Sequence, residues 1–369
     1  IAHGRNMASS LSNSIQIGTN WDVKIHAIQT RLFDSHGLGS KQPTKKLIKK
    51  IKKINPDIIH LHNLHGYYLS YKILFEFLNT KDIPIIWTFH DCWPITGHCS
   101  NFDFVGCAKW KSECHNCPQK KEYPASFFID RSKENYHLKK ELFNSVRSLT
   151  IVTVSKWLRG VVENSFMNKY PINVINNGVD IIKFKQVRNS KFKTNLNIEG
   201  KFLILGVASI WAPRKGFDDF MNLSKFINKD SVIILVGVDE EKIKRLPSNV
   251  IGISRTESIE KLVEVYSNAD VYLNLSVEET FGLTAVEAMS CGTPAIVYNA
   301  TACPEVITPE TGFVVEKGDT QGLLKAIAAV KLNGKSKYSK ACRERVEKYY
   351  DKNNKYMDYL NLYKSTLNI

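Results

Sequence analysis

A chain of 369 residues holds enough material for about two domains, and its 43% apolar and 24% charged residues are ordinary for a globular protein. No stretch approaches the roughly 20 consecutive apolar residues that cross a bilayer, so we expect no membrane-spanning segment. The net charge of +15 calls for an acidic partner, and nucleic acid, anionic lipid and nucleotide phosphate all meet that requirement.

Short β-branched runs alternate with longer amphipathic runs along the chain. In the first half, the strand-like runs are 57–62, 83–90, 149–155 and 172–178. A second series follows at 201–209, 231–238, 270–276, 294–299 and 312–316. Because these runs are apolar throughout, they are typical of parallel strands that helices cover on both faces. The alternation predicts an α/β fold with doubly wound parallel sheets.

The series of strands is interrupted once, by the basic and unpatterned segment 181–201, which we interpret as an interdomain linker. We therefore predict an N-terminal domain over 1–185 and a C-terminal domain over 186–345. The last residues, 346–369, are helical in pattern and have no strand after them. We expect this final segment to pack back toward the N-terminal domain.

Polar residues gather where the predicted strands end. They are His60, His62, His90, Asp91, Ser155, Asn176, Asn177, Ser209, Ser276, Tyr298 and Asn299. In open α/β sheets, ligands bind outside the carboxyl ends of the strands. Because both predicted domains have polar edges of this kind, a cleft between the domains is the expected ligand site.

The segment 276–307 carries the most specific pattern. A helix is predicted from about 281 to 289, and its first amides have no intrahelical acceptors and favour an anion. Gly282 would let a phosphate approach the backbone closely. Glu279 and Glu287 would repel a phosphate, so a nucleotide sugar, with hydroxyls that donate to carboxylates, explains them better. Taken alone, such a pair is more often a helix-terminus carboxylate and a solvated helix residue.

Together with EAMSCGTP at 287–294, the two glutamates resemble the E-x7-E pattern of the retaining glycosyltransferases of family 4. NNGVD at 176–180, KGF at 215–217 and the pair Thr88 and His90 are similar to further motifs of that family, in the same order. The resemblance extends over nearly the whole chain. Within the family, the chain resembles a subgroup of bacterial capsule, exopolysaccharide and O-antigen transferases. It implies the GT-B fold, in which two Rossmann-like domains face a central cleft.

The resemblance implies a role for each matching residue. Lys215, with Arg214 beside it, is implied to neutralise the diphosphate of the departing nucleotide. Glu279 is implied to hold hydroxyls of the donor sugar, and Glu287 those of the ribose. His90 is implied to lie across the cleft, near the reacting carbon. Further donor contacts are implied for Asn177, Gly178, Thr280, Phe281, Gly282, Leu283 and Thr284.

The reaction that the resemblance implies is transfer, with retention of configuration, from a UDP- or GDP-linked sugar to a glycan or lipid-linked acceptor. No catalytic divalent metal is expected, because cations and helix dipoles meet the leaving charge. Two alternatives stay open: a GT-B nucleotide-sugar epimerase and a catalytically weakened sugar-nucleotide binding protein. Ser209 stands where family members usually carry an arginine, which weighs toward the binding protein. IAHGRN at 1–6 resembles the family's second strand, so we expect the first strand and helix to be absent from this chain.

Five of the eight cysteines fall in a cysteine-rich insert at 92–118. Four of them form a candidate site for a structural zinc ion: Cys99, Cys107, Cys114 and Cys117. The last two have the C-x2-C spacing of zinc ligands. Packing thiols and two disulfides are the alternatives, and a reducing compartment argues against the disulfides. His98 and His115 are alternative ligands, and Cys92 is not expected to act as a nucleophile.

Residues 44–55 form a predicted amphipathic helix in which lysines surround a narrow apolar stripe at Leu47, Ile48, Ile51 and Ile54. One interpretation is docking on an anionic membrane, where a lipid-linked acceptor is found. The other, which the narrow stripe favours, is a solvated surface helix packed on the sheet.

No nucleic-acid-binding motif accompanies the charge, so we expect no nucleic-acid partner. A cytoplasmic location is expected, with peripheral contact on the inner face of the plasma membrane as the membrane alternative.

Overall fold

A computed structural model describes residues 1–4, 14–188 and 191–369 of the chain. Two compact units make up the chain. The first consists of Ile1–Ile175 together with Asn361–Ile369, and the second of Asn176–Leu360. Each unit contains its own parallel sheet, as the two series of predicted strands require.

The boundary between the units follows Ile175, ahead of the predicted position 185. The residues after it are tied to the second unit by hydrogen bonds. The carbonyl of Phe184 accepts a hydrogen bond from the Ser290 hydroxyl at 2.5 Å, and the Val187 amide donates to the Ser267 hydroxyl at 3.0 Å. The start of the predicted linker therefore packs as part of the second unit.

In the first unit, the main sheet consists of β3 (Ile59–Leu61), β4 (Ile85–Phe89), β5 (Leu149–Thr153) and β6 (Ile172–Val174). These strands are parallel and lie in the order β3-β4-β5-β6. A separate parallel pair is formed by β1 (Ala2–His3) and β2 (Ile15–Gln16). The helices are α1 (Asn20–Phe33), α2 (Lys41–Ile54), α3 (Tyr71–Leu78), α4 (Ser132–Asn144) and α5 (Lys156–Glu163), with 3-10 turns at Trp93–Ile95 and Lys109–Lys111. Every residue of β4 is buried, as a strand covered on both faces requires.

In the second unit, the strands are β7 (Phe202–Val207), β8 (Ser231–Val236), β9 (Val250–Ile253), β10 (Val271–Asn274), β11 (Ala295–Tyr298) and β12 (Gly312–Val315). All pairings are parallel and the order is β12-β11-β10-β7-β8-β9, which is that of a doubly wound sheet. The helices are α6 (Phe192–Asn195), α7 (Phe217–Leu223), α8 (Glu240–Ile243), α9 (Ile259–Asn268), α10 (Leu283–Ser290), α11 (Thr320–Asn333), α12 (Ser336–Tyr349) and α13 (Lys352–Leu367), with 3-10 turns at Pro213–Lys215 and Cys303–Val306. The end of α13 groups with the first unit.

The structure contains every strand predicted from the sequence, and the doubly wound α/β architecture is confirmed. Sequence patterning does not identify β9, because this edge strand has four residues and includes Gly252. Among the described helices, none combines the length and the apolar character that crossing a membrane requires.

Candidate active site

The strand order of the second sheet reverses between β7 and β10. These two strands are hydrogen-bonded neighbours, and the chain proceeds from them toward opposite edges of the sheet. A crevice forms outside the carboxyl ends of such strands, because the loops that follow them diverge. The loop after β7 contains Lys215, and the loop after β10 contains Glu279. The topology therefore brings these two predicted site residues to one sheet edge.

Lys215 and Glu279 form an ion pair in this crevice. The Lys215 Nζ atom donates a hydrogen bond to Glu279 Oε1, and the two side chains are only 19% and 18% exposed. The Arg214 Nη1 atom donates to the carbonyl oxygen of Glu278 at 3.2 Å, and the Val277 amide donates to the carbonyl of Arg214 at 2.9 Å. These bonds hold the two loops together. They also place the Lys215 ammonium where it can exchange the Glu279 carboxylate for a diphosphate.

Thr301, which the sequence analysis does not single out, fixes the backbone of Glu279. Its hydroxyl accepts a hydrogen bond from the Glu279 amide at 2.9 Å and donates to the Glu279 carbonyl at 2.8 Å. The Ala302 amide donates to the same carbonyl at 3.2 Å. The sequence gives only a weak indication of this role, which is that Thr301 closely follows the predicted strand end at Asn299.

Helix α10 begins directly after Gly282. The backbone of Gly282 is left-handed, with φ at 91°, a conformation that favours glycine. Within the described part of the chain, the amides of Leu283 and Thr284 have no hydrogen-bond acceptor. They therefore form the open, positively polarised end of the helix that the sequence predicts as an anion site. The helix starts later than predicted, so Thr280 and Phe281 belong to the preceding loop.

Glu287 lies inside α10 and is half-buried rather than solvated. Its Oε2 atom accepts a hydrogen bond from the hydroxyl of Tyr266 at 2.9 Å, a partner that the sequence does not reveal. Burial raises the pKa of Glu287 to about 7, and the Tyr266 hydroxyl opposes this rise. The carboxyl group therefore titrates near neutral pH, unlike a surface glutamate.

Donor affinity is expected to rise with pH around neutrality. A carboxyl group with a pKa of about 7 is roughly one tenth ionised at pH 6 and roughly nine tenths at pH 8, and only the carboxylate accepts from both ribose hydroxyls. If Glu287 binds the ribose only as a carboxylate, the dissociation constant of a nucleotide sugar falls by about tenfold between these pH values. Calorimetric titration with UDP- and GDP-linked sugars measures this. The Glu287→Gln variant cannot titrate, so a wild-type profile as flat as that of the variant would contradict the role.

Gly178, a predicted donor contact, packs against the segment that begins α13. A Cβ atom at Gly178 would lie 2.3 Å from the Cα of Lys352. Beside it, the Val179 amide donates to the carbonyl of Tyr350 at 2.7 Å, and the Lys352 amide donates to the carbonyl of Val179 at 3.0 Å. Chain packing is thus a sufficient reason for this glycine. The donor contacts of Asn177 and Gly178 stay predictions.

His90 follows β4 in the first unit and is paired with a second histidine. Its Nε2 atom lies 3.0 Å from Nδ1 of His62, and the two rings are stacked with centroids 5.3 Å apart. Burial lowers the pKa of His90, and it lowers that of His62 to about 4. Next in sequence, Asp91 Oδ2 lies 2.7 Å from Nε2 of His65. His90 is therefore a neutral imidazole whose orientation is set by His62.

The four cysteines of the candidate zinc site line one small cavity. That cavity is also lined by His98 and His115. All eight cysteines lie in the described part of the chain and are free thiols, so the disulfide alternative is not present. Over the described ranges, no three His, Cys, Asp or Glu side chains are arranged so that they could hold a metal ion. The zinc site therefore stays a prediction.

Metal analysis of the purified protein tests that prediction. We expect about one zinc ion per chain, because four thiolates form a complete structural site. Replacing Cys114 and Cys117 together with serine should remove the metal. The Cys92→Ser variant, which changes a cysteine outside the four, should retain it. Wild-type protein that contains no zinc after purification without chelators would contradict the site and leave packing thiols as the explanation.

Comparison with known proteins identifies the family. A sequence profile described as Glycosyltransferase Family 4 matches residues 14–183, and one described as Glycosyl transferases group 1 matches 201–332. WcaC of Escherichia coli K12, named for colanic acid biosynthesis glycosyl transfer, is 26% identical over 315 residues, which are 80% of this chain and 72% of WcaC. A GDP-mannose-dependent alpha-mannosyltransferase of Mycobacterium tuberculosis is 22% identical over 334 residues, covering 88% of this chain and 77% of its own.

Two solved structures show the fold. Sucrose-phosphate synthase from Thermosynechococcus elongatus has a TM-score of 0.67 at 18% identity, covering 88% of this chain and 78% of its own. Anabaena Alr3699/HepE, in complex with UDP, has a TM-score of 0.64 at 15% identity, covering 91% of this chain and 85% of its own. The two family profiles together match most of the chain, and their order follows the two sheets. The chain therefore belongs to glycosyltransferase family 4, has the GT-B fold of two Rossmann-like domains, and is a sugar-transferring enzyme.

Proposed function

We propose that this enzyme transfers a hexose from a nucleoside-diphosphate sugar to a glycan acceptor of a bacterial surface polysaccharide. The observation that carries the proposal is the Lys215–Glu279 pair outside β7 and β10, with the open end of α10 in the same loop system. Relatives named for colanic acid biosynthesis and for GDP-mannose-dependent transfer, and a structural neighbour solved with UDP, support this class of donor and product.

The chemistry follows from the charges at the crevice. When the bond between the sugar and the diphosphate breaks, the departing nucleotide gains negative charge. Lys215 and the amides of Leu283 and Thr284 are donors already fixed in place, so they stabilise that charge with little reorganisation. Glu279 is then free to accept hydrogen bonds from hydroxyls of the donor sugar, and Glu287 from those of the ribose.

The proposal extends to retention of configuration at the transferred carbon and to a lipid-linked acceptor, both of which the family resemblance supports. His90 contributes a neutral imidazole from the first unit, suited to a hydrogen bond with a sugar hydroxyl. The Asn177–Gly178 pair is included as a donor contact on the same basis. No divalent metal is assigned a catalytic role.

The test is turnover of UDP-glucose and GDP-mannose, with and without a bacterial lipid extract, measured as released nucleoside diphosphate. We expect one donor to be consumed, and the extract to accelerate its consumption. Turnover that survives Lys215→Ala combined with Glu279→Ala would overturn the assigned site. An epimerised nucleotide sugar without transfer would support the epimerase alternative, and donor binding without turnover would support the binding-protein alternative.

A further inference from the structure

Helix α1 exposes an apolar stripe along its whole length. Trp21, Ile25, Ile28 and Leu32 are 71%, 52%, 55% and 37% exposed, and their spacing of four, three and four residues places them on one face. The opposite face is buried in the first unit. Single exposed apolar residues need no explanation, but a stripe of four does, because water is a poor solvent for it.

A loop extends this surface at the end of α1. The Phe127 amide donates a hydrogen bond to the carbonyl of Arg31 at 2.8 Å, which fixes the loop beside the helix. Three consecutive side chains of the loop are exposed: Phe127, Phe128 and Ile129. Phe33, at the last position of α1, is also exposed. We call these residues of α1 and the loop the apolar face.

Helix α2, next to the apolar face, supplies positive charge. Ile25 of α1 and Lys41 of α2 border the same surface depression. Seven lysines of α2 are exposed, and the helix has no acidic residue: they are Lys41, Lys45, Lys46, Lys49, Lys50, Lys52 and Lys53. On α1 itself, the Lys24 ammonium lies 4.9 Å from the centre of the Trp21 ring. Most of the apolar stripe of α2 is already used, because Leu47 is buried and Ile48 and Ile51 are half-buried.

We propose that the first unit docks on an anionic membrane through the apolar face, with α2 as its electrostatic flank. A large apolar patch with tryptophan and phenylalanine, bordered by lysines, matches the two layers of a lipid surface, acyl chains beneath anionic headgroups. A second copy of this chain fits less well, because two faces bordered by lysines repel each other. The segment 44–55 thus contributes charge, and the apolar anchor is α1. The inference deepens the proposed function and rests on it for its purpose, since it brings the enzyme to a lipid-linked acceptor.

Vesicle co-sedimentation tests this docking without any sugar chemistry. Wild-type protein is expected to bind vesicles of phosphatidylcholine mixed with phosphatidylglycerol, and to bind vesicles of phosphatidylcholine alone far less. Ile25→Glu combined with Ile28→Glu should weaken binding to the anionic vesicles by about tenfold or more, since two anchors become anions. Leu332→Glu, at an 88% exposed position on α11, is the matched control and should bind like the wild type. Substituting glutamine for Lys45, Lys46, Lys49 and Lys50 should weaken binding and reduce its salt dependence.

Each result has a distinct meaning. Equal vesicle binding by the Ile25→Glu, Ile28→Glu variant, or no binding of the wild type to anionic vesicles, overturns the membrane face. Self-association of the wild type that the same variant abolishes, without vesicle binding, assigns the face to a second copy and also overturns the proposal. Donor turnover in solution is measured in parallel and should be unchanged in this variant. If the proposed function is wrong, the wild type will show no donor turnover in solution, whether or not it binds vesicles.

Discussion

Replacing Lys215 with alanine is expected to lower kcat by about 10²- to 10³-fold, the effect of losing one preorganised donor to a developing charge. The loss should fall mainly on kcat, because the negative charge on the nucleotide grows as the glycosidic bond breaks. The Glu279 carboxylate holds Lys215 at the sheet edge, where the lysine can exchange this partner for the diphosphate. Steady-state kinetics with the preferred nucleotide sugar measures the effect.

A matched control separates this role from a general effect of positive charge. Lys229 is an exposed lysine of the same unit, and Lys229→Ala should leave both kcat and KM unchanged. Glu279→Gln provides a second comparison, because it keeps a polar side chain at the crevice and removes only the charge. A Lys215→Ala enzyme whose KM rises while kcat stays at the wild-type value would contradict the leaving-group role. It would indicate that the lysine only helps to bind the donor.

Replacing Lys139 with methionine is expected to destabilise the first unit by about 2–4 kcal/mol. Lys139 is fully buried on α4, and its ammonium donates to the carbonyls of Trp93 and Thr96 at 2.7 and 3.0 Å. The same ammonium lies 3.5 Å from the centre of the Trp93 ring. Methionine fills similar space but leaves the Thr96 carbonyl without its donor. The Trp93 carbonyl keeps only the long bonds, at 3.4 Å, from the amide and hydroxyl of Thr96. Urea unfolding followed by tryptophan fluorescence measures the loss, since five of the six tryptophans lie in this unit.

The destabilisation caused by Lys139→Met should increase as the pH rises. Burial lowers the pKa of Lys139 to about 7, so the unfolded chain takes up its proton at higher pH than the folded one. The stability that Lys139 contributes is therefore fully present at high pH and declines as the pH falls from about 10 toward about 7. The difference between wild type and Lys139→Met should be larger at pH 9 than at pH 7. Lys140→Met, at the exposed neighbouring position, should change little at either pH. A Lys139→Met protein as stable as the wild type would refute the role.

The arrangement around the start of α10 was predictable because its residues belong to local patterns. Glu279, Gly282 and Glu287 lie in one short segment, formed by the loop before α10 and the helix itself, where spacing along the chain determines spacing in space. The family resemblance assigned Lys215 and Glu279, 64 positions apart, to one site, but it did not anticipate their ion pair. The structure adds the reason: β7 and β10 are adjacent strands at the reversal of the sheet order.

Other features of the site had no signature in the sequence. Thr301, after β11, holds Glu279. Tyr266 of α9 holds Glu287, and His62, after β3, orients His90. A threonine, tyrosine or histidine gives no pattern of its own, since its role depends on which distant group it meets. The bonds from Phe184 and Val187 to the second unit likewise join residues far apart in sequence, which no local pattern reveals.

By itself, the sequence determined the two parallel sheets, the family and the loop that begins α10, because apolar periodicity and short motifs act over neighbouring residues. Only the tertiary structure decided how the amphipathic helices are used. Helix α2 has the stronger amphipathic pattern, yet packing covers most of its apolar stripe, whereas the stripe of α1 stays exposed. Hydrophobicity is encoded residue by residue, but burial depends on the neighbours that the fold supplies.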